Sequence, residues 1–278
     1  MEPLTPLDTA DLFPALQDEL IRLLRGLSPE DWERPTMAGS WRVRDVAAHL
    51  LDGSLRKLSV YRDGHALRPD EPIDGYGGLV RFLNRLNADW VGVAGRFSPR
   101  VITDLLEWVG PQTAALVAAL PPHGEAIFPV SWAGEERSEN WFDTGREYTE
   151  QWHHQAQIRD AVGASPLDAR RWLHPVIELS LYALPVAFRG LDAPDGTALV
   201  IEVTGEAGGT WSLVRAAGAW RVWRGAAGSP ATRARLDAGA AWRLLFNALP
   251  PEEARRRIEV EGDPALLERL IATRGVMV

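Results

Sequence analysis

The sequence has 278 residues, which is enough for one large domain or two of ordinary size. Its apolar fraction of 46% and charged fraction of 24% are typical of soluble globular proteins, and its net charge of -8 argues against a surface for nucleic acid or anionic membranes. The absence of cysteine excludes disulfides, thiolate metal ligands and a cysteine nucleophile, so any thiol chemistry needs a thiol from outside the chain.

No targeting or membrane segment is predicted from the sequence. The first residues lack the basic and apolar regions of a secretory signal, and no run approaches the roughly 20 apolar residues that span a bilayer. We therefore expect a cytoplasmic protein. The basic residues are arginines with the exception of Lys57, which indicates a compositional bias and not a functional site.

The first 165 residues have the apolar periodicity of helices. The first regular helix begins near Pro14, because proline is tolerated only in the first turn, and Ser28 before Pro29 marks another helix start. Amphipathic helices of this kind predict a bundle, and we expect four helices in it. Residues 126–130 fit a short extended segment. The long helical segments are predicted at residues 9–27, 43–61, 75–93, 98–120 and 144–162.

The pattern changes after residues 164–166. A helix is predicted over residues 170–188, and strand-like alternation follows, with glycine-containing turns between the strands. These strands are predicted at residues 198–203, 210–215, 219–224 and 231–236, with later helices at 237–249 and 264–274. The second half is therefore of the α+β class. We place the domain boundary at residue 165, which gives a helical domain over 1–165 and a C-terminal domain over 166–278.

A carboxylate and an imidazole lie four residues apart in the last predicted helix of the first domain, at Glu150 and His154. Residues at this spacing lie on one face of a helix with Cβ atoms about 5–6 Å apart, so both side chains can contact one ion. His49 in the second long helix offers a third ligand. Two histidines and one glutamate resemble a catalytic metal site with one coordination position left open.

Residue spacing alone leaves other interpretations of these residues open. His49 lies in an apolar segment and could be a hydrogen-bonded core histidine, and Glu150 with His154 could be a simple surface pair. His153 and Glu147 compete as ligands because they lie on nearby faces of the same helix. Asp45 could accept a hydrogen bond from the His49 ring, or it could be an acidic residue of the first helical turn.

Two segments resemble those of a known family. Residues 41–50 (WRVRDVAAHL) resemble the W-x-V-x-D-x-x-x-H-L segment of the DinB-like bundle superfamily, and most closely that of the N-terminal domain of mycothiol-dependent maleylpyruvate isomerases. Residues 150–158 (EQWHHQAQI) resemble the last-helix motif, whose final ligand is followed by x-x-Q-I. That register selects His154 over His153. The second half is similar in its pattern to the small sterol-carrier-like domain of the isomerases.

The resemblance implies a DinB-like four-helix bundle with a divalent metal bound by His49, Glu150 and His154. Zinc is expected, with nickel or iron as alternatives. It also implies a low-molecular-weight thiol of the mycothiol or bacillithiol type as co-substrate, and a small electrophile as substrate. The expected protein is a monomer or a homodimer with no nucleic-acid or membrane partner.

The implied activity is that of an isomerase or an S-transferase, in which a metal-bound thiolate adds to the electrophile. The isomerases are expected to use an arginine of the C-terminal domain to stabilise the enolate, and four arginines are candidates here: Arg235, Arg243, Arg269 and Arg274. The alternative function is a non-catalytic, metal-containing protein that binds a small molecule or a partner. A third possibility is a structural His/Glu cluster without metal.

Overall fold

The computed structural model describes residues 1–70 and 72–276. The chain forms two compact units, one helical and one built around a sheet. The helical unit consists of Asp8–Ile127 and Glu139–Pro166. The sheet unit consists of Met1–Leu7, Phe128–Ser138 and the chain from Leu167 onward. No helix among the described residues is both long enough and apolar enough to cross a membrane.

Six α-helices occur among the described residues of the helical unit. Their bounds are α1 Phe13–Arg25, α2 Pro29–Trp32, α3 Val43–Lys57, α4 Gly75–Ala94, α5 Pro99–Ala119 and α6 Asn140–Val162. A π-helical turn, Leu58–Arg62, extends α3. Helices α1, α3, α5 and α6 pack on one another as the bundle, and α4 packs on α3. Because α4 fully buries only Ala94 of its own residues, it is peripheral to the core.

The periodic apolar residues form the bundle core, as the sequence predicted. Helix α1 buries Phe13, Leu16, Leu20 and Leu24, which follow each other at intervals of three or four residues. The start of α1 near Pro14 is confirmed. Ser28 is confirmed as the cap of α2, where its hydroxyl accepts a hydrogen bond from a backbone N–H three residues later.

Helix α6 differs from the others because most of its buried side chains are polar or charged. Buried polar groups of this kind require hydrogen-bond or ionic partners. Helices α1 and α3 supply them, and both pack on α6. The helix ends at Gly163, whose positive φ of 68° is unfavourable for a residue with a side chain.

The sheet unit contains six strands among its described residues, in the order β1-β4-β3-β2-β5-β6. The strands are β1 Glu2–Pro3, β2 Ala198–Thr204, β3 Gly209–Ala216, β4 Ala219–Arg224, β5 Thr232–Asp237 and β6 Glu259–Gly262. Strands β2 and β5 pair in parallel, and all other pairs are antiparallel. The helices of this unit are α7 Arg170–Ser180, α8 Leu184–Ala187, α9 Ala238–Leu245, α10 Pro251–Arg257 and α11 Pro264–Ile271.

The predicted fold class is confirmed: the chain contains a helical bundle and an α+β unit, and the α+β unit also includes Met1–Leu7 and Phe128–Ser138. The alternation in β5, where every second residue is buried, is the signal of a sheet with one covered face. Strands β1 and β6 were not predicted, because β1 has only two residues and β6 is exposed along its whole length. The extended segment expected at residues 126–130 is wrong, since no strand forms there.

Gly262 and Gly218 offer a test of the sheet geometry. Both have positive φ, 115° and 76° respectively. A Cβ on Gly262 would lie 2.1 Å from the carbonyl oxygen of Ala231, whereas a Cβ on Gly218 would meet nothing within 4 Å. We expect Gly218→Ala to cost about 1–2 kcal/mol of unfolding free energy from backbone strain alone, and Gly262→Ala to cost clearly more. Urea denaturation measures both, and equal losses would contradict the clash.

Candidate metal centre

The structure brings His49, Glu150 and His154 together within the helical unit. His49 lies on α3 and the other two on α6, and one ligand atom from each lies within 4.8 Å of the other two. The ring centroids of the two histidines are 4.6 Å apart, and Nε2 of His154 lies 3.3 Å from Oε2 of Glu150. His154 is buried, while His49 and Glu150 are partly exposed. The site therefore lies at the edge of the bundle core, where a small ligand could enter.

Gln157 fixes the orientation of the two adjacent histidines on α6. Its Oε1 lies 2.9 Å from Nδ1 of His154, and its Nε2 lies 2.8 Å from Nε2 of His153. The amide N–H therefore donates to His153, and the amide oxygen accepts from the Nδ1–H of His154. In this arrangement Nδ1 of His154 is held by Gln157, and Nε2, which lies 3.3 Å from Oε2 of Glu150, is the ring nitrogen left to contact an ion.

Two observations fit a cation between these three side chains. Nε2 of His154 and Oε2 of Glu150 lie 3.3 Å apart, a distance at which the two atoms share the proton of a hydrogen bond or, in its place, a metal ion. In addition, Nδ1 of His49 is buried and has no hydrogen-bond partner in the described structure. An imidazole-carboxylate-imidazole set is a donor set that zinc prefers. The residues present therefore fit a divalent metal.

The protonation states of the ligands suit this interpretation. Burial, together with the neighbouring His154, lowers the pKa of His49 to about 3. Burial alone would raise the pKa of Glu150, but its hydrogen bond to His154 and the adjacent histidines lower it to about 2. At neutral pH the His49 ring is neutral and Glu150 is ionised, which are the forms that coordinate metals.

The structure distinguishes the three candidate ligands from the residues that compete with them. His153 is turned towards Gln157, and the described residues contain no metal-type cluster that includes it or Glu147. Glu147 lies instead 3.7 Å from Nη2 of Arg146. Asp45 accepts a hydrogen bond from the backbone N–H of Arg42 and so caps α3, which confirms its reading as a residue of the first helical turn. That a metal binds His49, Glu150 and His154 stays a prediction.

An aromatic ring covers one side of the site. The Trp41 ring centroid lies 5.1 Å from that of His49 and 6.5 Å from that of His154. Trp41 immediately precedes Arg42, the N-cap residue of α3, so its position is tied to the start of the helix that carries His49. The indole limits the access of water to both imidazole rings from this side.

A second buried polar cluster lies two helical turns along the same pair of helices. Asp143 is fully buried, and its Oδ2 accepts from Nζ of Lys57 at 2.6 Å and from the Tyr61 hydroxyl at 2.5 Å. Its Oδ1 accepts from Nη2 of Arg146 at 2.6 Å. Composition alone indicated no site at Lys57, yet its side chain is 4% exposed here and is paired with a buried carboxylate. The only available signal was that it is the sole lysine of the chain.

The four candidate arginines lie in the sheet unit. Arg235 forms ion pairs with two glutamates of neighbouring strands. Arg243 and Arg269 donate to backbone carbonyls. Arg274 donates to the Asn247 side chain at 2.8 Å and to backbone oxygens, and burial lowers its pKa. None of these partners of Arg274 is a carboxylate. The participation of any of the four in chemistry stays a prediction.

The model of the mycothiol maleylpyruvate isomerase N-terminal domain family matches residues 13–159. This match covers more than half of the chain and includes α1 to α5, most of α6 and all three candidate ligands. The chain belongs to this family. No curated protein sequence matches the chain significantly.

Solved structures extend the similarity to most of the chain. The crystal structure of a mycothiol-dependent maleylpyruvate isomerase matches with a TM-score of 0.52 and 10% sequence identity, over 84% of this chain and 86% of that one. A histidine-to-alanine mutant of a mycothiol-dependent maleylpyruvate isomerase matches with a TM-score of 0.51 over the same shares. At this identity the match shows a common fold. The sterol carrier protein domain 2 of Helicoverpa armigera matches over 39% of this chain with a TM-score of 0.27, which is too low to support an argument.

Gln157→Leu tests the role of the bridging amide. We expect the dissociation constant for zinc to rise about 10- to 100-fold, because His154 loses the acceptor that fixes its ring and its tautomer. Competition with a chromophoric chelator measures this constant. Gln151→Leu is the matched control, since Gln151 follows Glu150 directly and lies on another face of α6. Gln157→Glu keeps the acceptor and should retain more affinity, whereas unchanged affinity in Gln157→Leu would contradict this role.

Asp143→Asn tests the second cluster. The substitution leaves the buried Lys57 ammonium without a full counter-charge, so we expect a loss of about 3–5 kcal/mol in unfolding free energy. Burial would raise the pKa of Asp143, but Arg146 and Lys57 outweigh it and hold the pKa far below its usual value. The stabilisation is therefore present above the unfolded pKa of about 3.9 and is lost as the pH falls below it.

Urea denaturation at pH 7 and at pH values below 4 measures both effects. Asp104→Asn is the matched control, because Asp104 pairs with Arg25 at an exposed site and should contribute no more than about 1 kcal/mol. Equal losses for the two variants at pH 7 would show that the buried pair contributes nothing beyond a surface pair.

Proposed function

We propose that this protein is a metal- and thiol-dependent enzyme that isomerises an electrophilic small molecule or transfers a thiol to it. The observation that carries the proposal is that one ligand atom each of His49, Glu150 and His154 lies within 4.8 Å of the other two, as in a three-ligand metal site. Three protein ligands are the number found in catalytic zinc sites, in which the remaining position takes water or substrate.

His49, Glu150 and His154 would hold the metal, with zinc expected and nickel or iron as alternatives. A metal in this place would lower the pKa of an incoming thiol and so favour its nucleophilic thiolate form. Gln157 keeps the lone pair of His154 directed into the site. Trp41 covers both imidazole rings, and by limiting the access of water it strengthens the electrostatic interactions within the site.

The thiol must come from outside the chain, because the sequence contains no cysteine. The names of the family and of the similar structures both refer to mycothiol, which supports a thiol of this low-molecular-weight class. Isomerisation and S-transfer differ in the fate of the thiol, since an isomerase returns it after each turnover and a transferase leaves it bound to the product. The family's name favours isomerisation.

Metal analysis tests the first half of the proposal. The purified protein should contain close to one divalent metal per chain by inductively coupled plasma mass spectrometry, and His154→Ala should reduce this content strongly. His123→Ala is the control, because His123 is an exposed histidine of the same unit and pairs with Glu139. If the metal content of the wild-type protein is far below one per chain and His154→Ala does not change it, the three residues form only a structural His/Glu cluster.

Thiol binding tests the second half. The cobalt-substituted protein should change its visible absorption spectrum when mycothiol or bacillithiol is added, because sulfur coordination alters both the intensity and the position of the bands. Glutathione serves as the comparison thiol. A metal-containing protein whose spectrum responds to none of the three thiols would be a non-catalytic metal-containing binding protein, which is the alternative function.

A further inference from the structure

We propose that Arg215 and Trp220 form a binding site in the sheet unit for the carboxylate group of a small molecule. The two residues lie opposite each other at one end of strands β3 and β4. Nε of Arg215 and Nε1 of Trp220 are buried donors with no acceptor among the described residues. The candidate metal ligands belong to the helical unit, so this inference goes beyond the proposed function and its test does not depend on it.

The side chains of Arg215 and Trp220 lie on the helix-covered face of the sheet. Residues two or four apart in a strand share a face, so Arg215 is on the same face as Trp211, which contacts Glu178 of α7. Trp220 is the cross-strand partner of Arg215, is 6% exposed, and packs edge-on against Phe188 with ring centroids 5.3 Å apart. Arg215 is partly exposed, so a ligand can reach this end of the strands from solvent.

The donors of this pair are poorly satisfied within the described residues. The hydrogen bond of the Arg215 side chain there runs from Nη1 to the carbonyl of Leu191 at 3.5 Å, which is long for a hydrogen bond. Arg215 forms no ion pair with any described residue, and its Cζ lies 5.9 Å from the centroid of the Trp220 ring. Because a buried donor without an acceptor is destabilising, two adjacent ones indicate a place for an acceptor from outside the chain.

The other end of the same two strands shows which acceptor suits this pair of donors. There Trp211 of β3 lies opposite Arg224 of β4, so an indole again faces a guanidinium. Both donate to the buried carboxylate of Glu178: Nε1 of Trp211 lies 3.0 Å and Nε of Arg224 lies 3.2 Å from its Oε2. Nη2 of Arg224 lies 2.5 Å from its Oε1. Among the described residues no carboxylate takes this place between Arg215 and Trp220, so we infer that a ligand supplies it.

Asp195 lies at the same end of the strands but is already engaged. Its carboxylate accepts from the backbone N–H groups of Ala217 and Gly218, in the turn between β3 and β4. It therefore stabilises the turn and leaves Arg215 without an ion pair. A water molecule could accept from one N–H, but it would not offset the charge of the guanidinium. A carboxylate offsets that charge and can accept from both side chains.

The test follows the indole N–H of Trp220 by NMR in protein labelled with 15N-tryptophan, with the resonance assigned by Trp220→Phe. Titration with sodium acetate or sodium benzoate should shift this resonance until it saturates, because the indole gains a hydrogen bond to the carboxylate. The indole of Trp211 is the internal control, since it is already bonded to Glu178 and should not shift. Sodium chloride at the same ionic strength controls for screening.

Variants of Arg215 test the charge. Arg215→Gln should raise the dissociation constant for the carboxylate at least 10-fold, and Arg215→Lys, which keeps the charge but loses the planar fork, should give an intermediate value. Arg221→Gln is the matched control, because Arg221 is an exposed arginine of β4 that follows Trp220 and lies on the opposite face of the sheet. It should leave the affinity unchanged. An unshifted Trp211 resonance in each variant would show that the sheet is folded.

A Trp220 resonance that responds to neither carboxylate would overturn the proposal, as would a response that Arg215→Gln leaves unchanged. Inorganic phosphate is the comparison anion, and a shift with phosphate but with neither carboxylate would show that the ligand class is wrong. The same titrations on metal-free protein keep this test separate from that of the proposed function, because both residues belong to the sheet unit.

Discussion

Helix α3 packs against α6. Both the candidate metal ligands and the buried cluster around Asp143 depend on this packing. Helix α6 buries charged and amide side chains, and several of them find partners on its neighbours. Asp143 meets Lys57 of α3, Gln155 donates to the carbonyl of Leu16 in α1, and Arg159 reaches Glu19, also in α1. Because an unpaired buried charge is costly, these contacts fix the register of α6 in the bundle.

The register of α6 determines whether the three candidate metal ligands face one another. A helix rotates by about 100° per residue, so a shift of α6 by a single residue would turn Glu150 and His154 away from His49. The polar partners along α6 oppose such a shift. Gln157 then decides between two adjacent histidines, because it holds the ring of His153 aside and orients the ring of His154. Contacts outside the ligand set thus determine which side chains can coordinate an ion.

The family match and the fold match have different meanings. The family model covers the helical unit, in which the three candidate ligands lie. The similar isomerase structures share only 10% sequence identity with this chain, so the match shows a common fold in which few individual residues are the same. The chemistry depends on a small number of polar positions, and the buried cluster around Asp143 lies on the same two helices as the candidate ligands.

The sequence by itself determined the five long helices of the helical unit and four of the strands, because apolar periodicity is a local property of the chain. The i, i+4 spacing put Glu150 and His154 on one helix face as candidate ligands, and the resemblance to the family motif selected His154 over His153. It did not determine strand β1, which pairs with β4 more than two hundred residues away. It also did not reveal that Lys57 pairs with Asp143 across 86 positions, or that Gln157 separates His153 from His154. These contacts follow from how the helices and strands pack, and only the tertiary structure decides that packing.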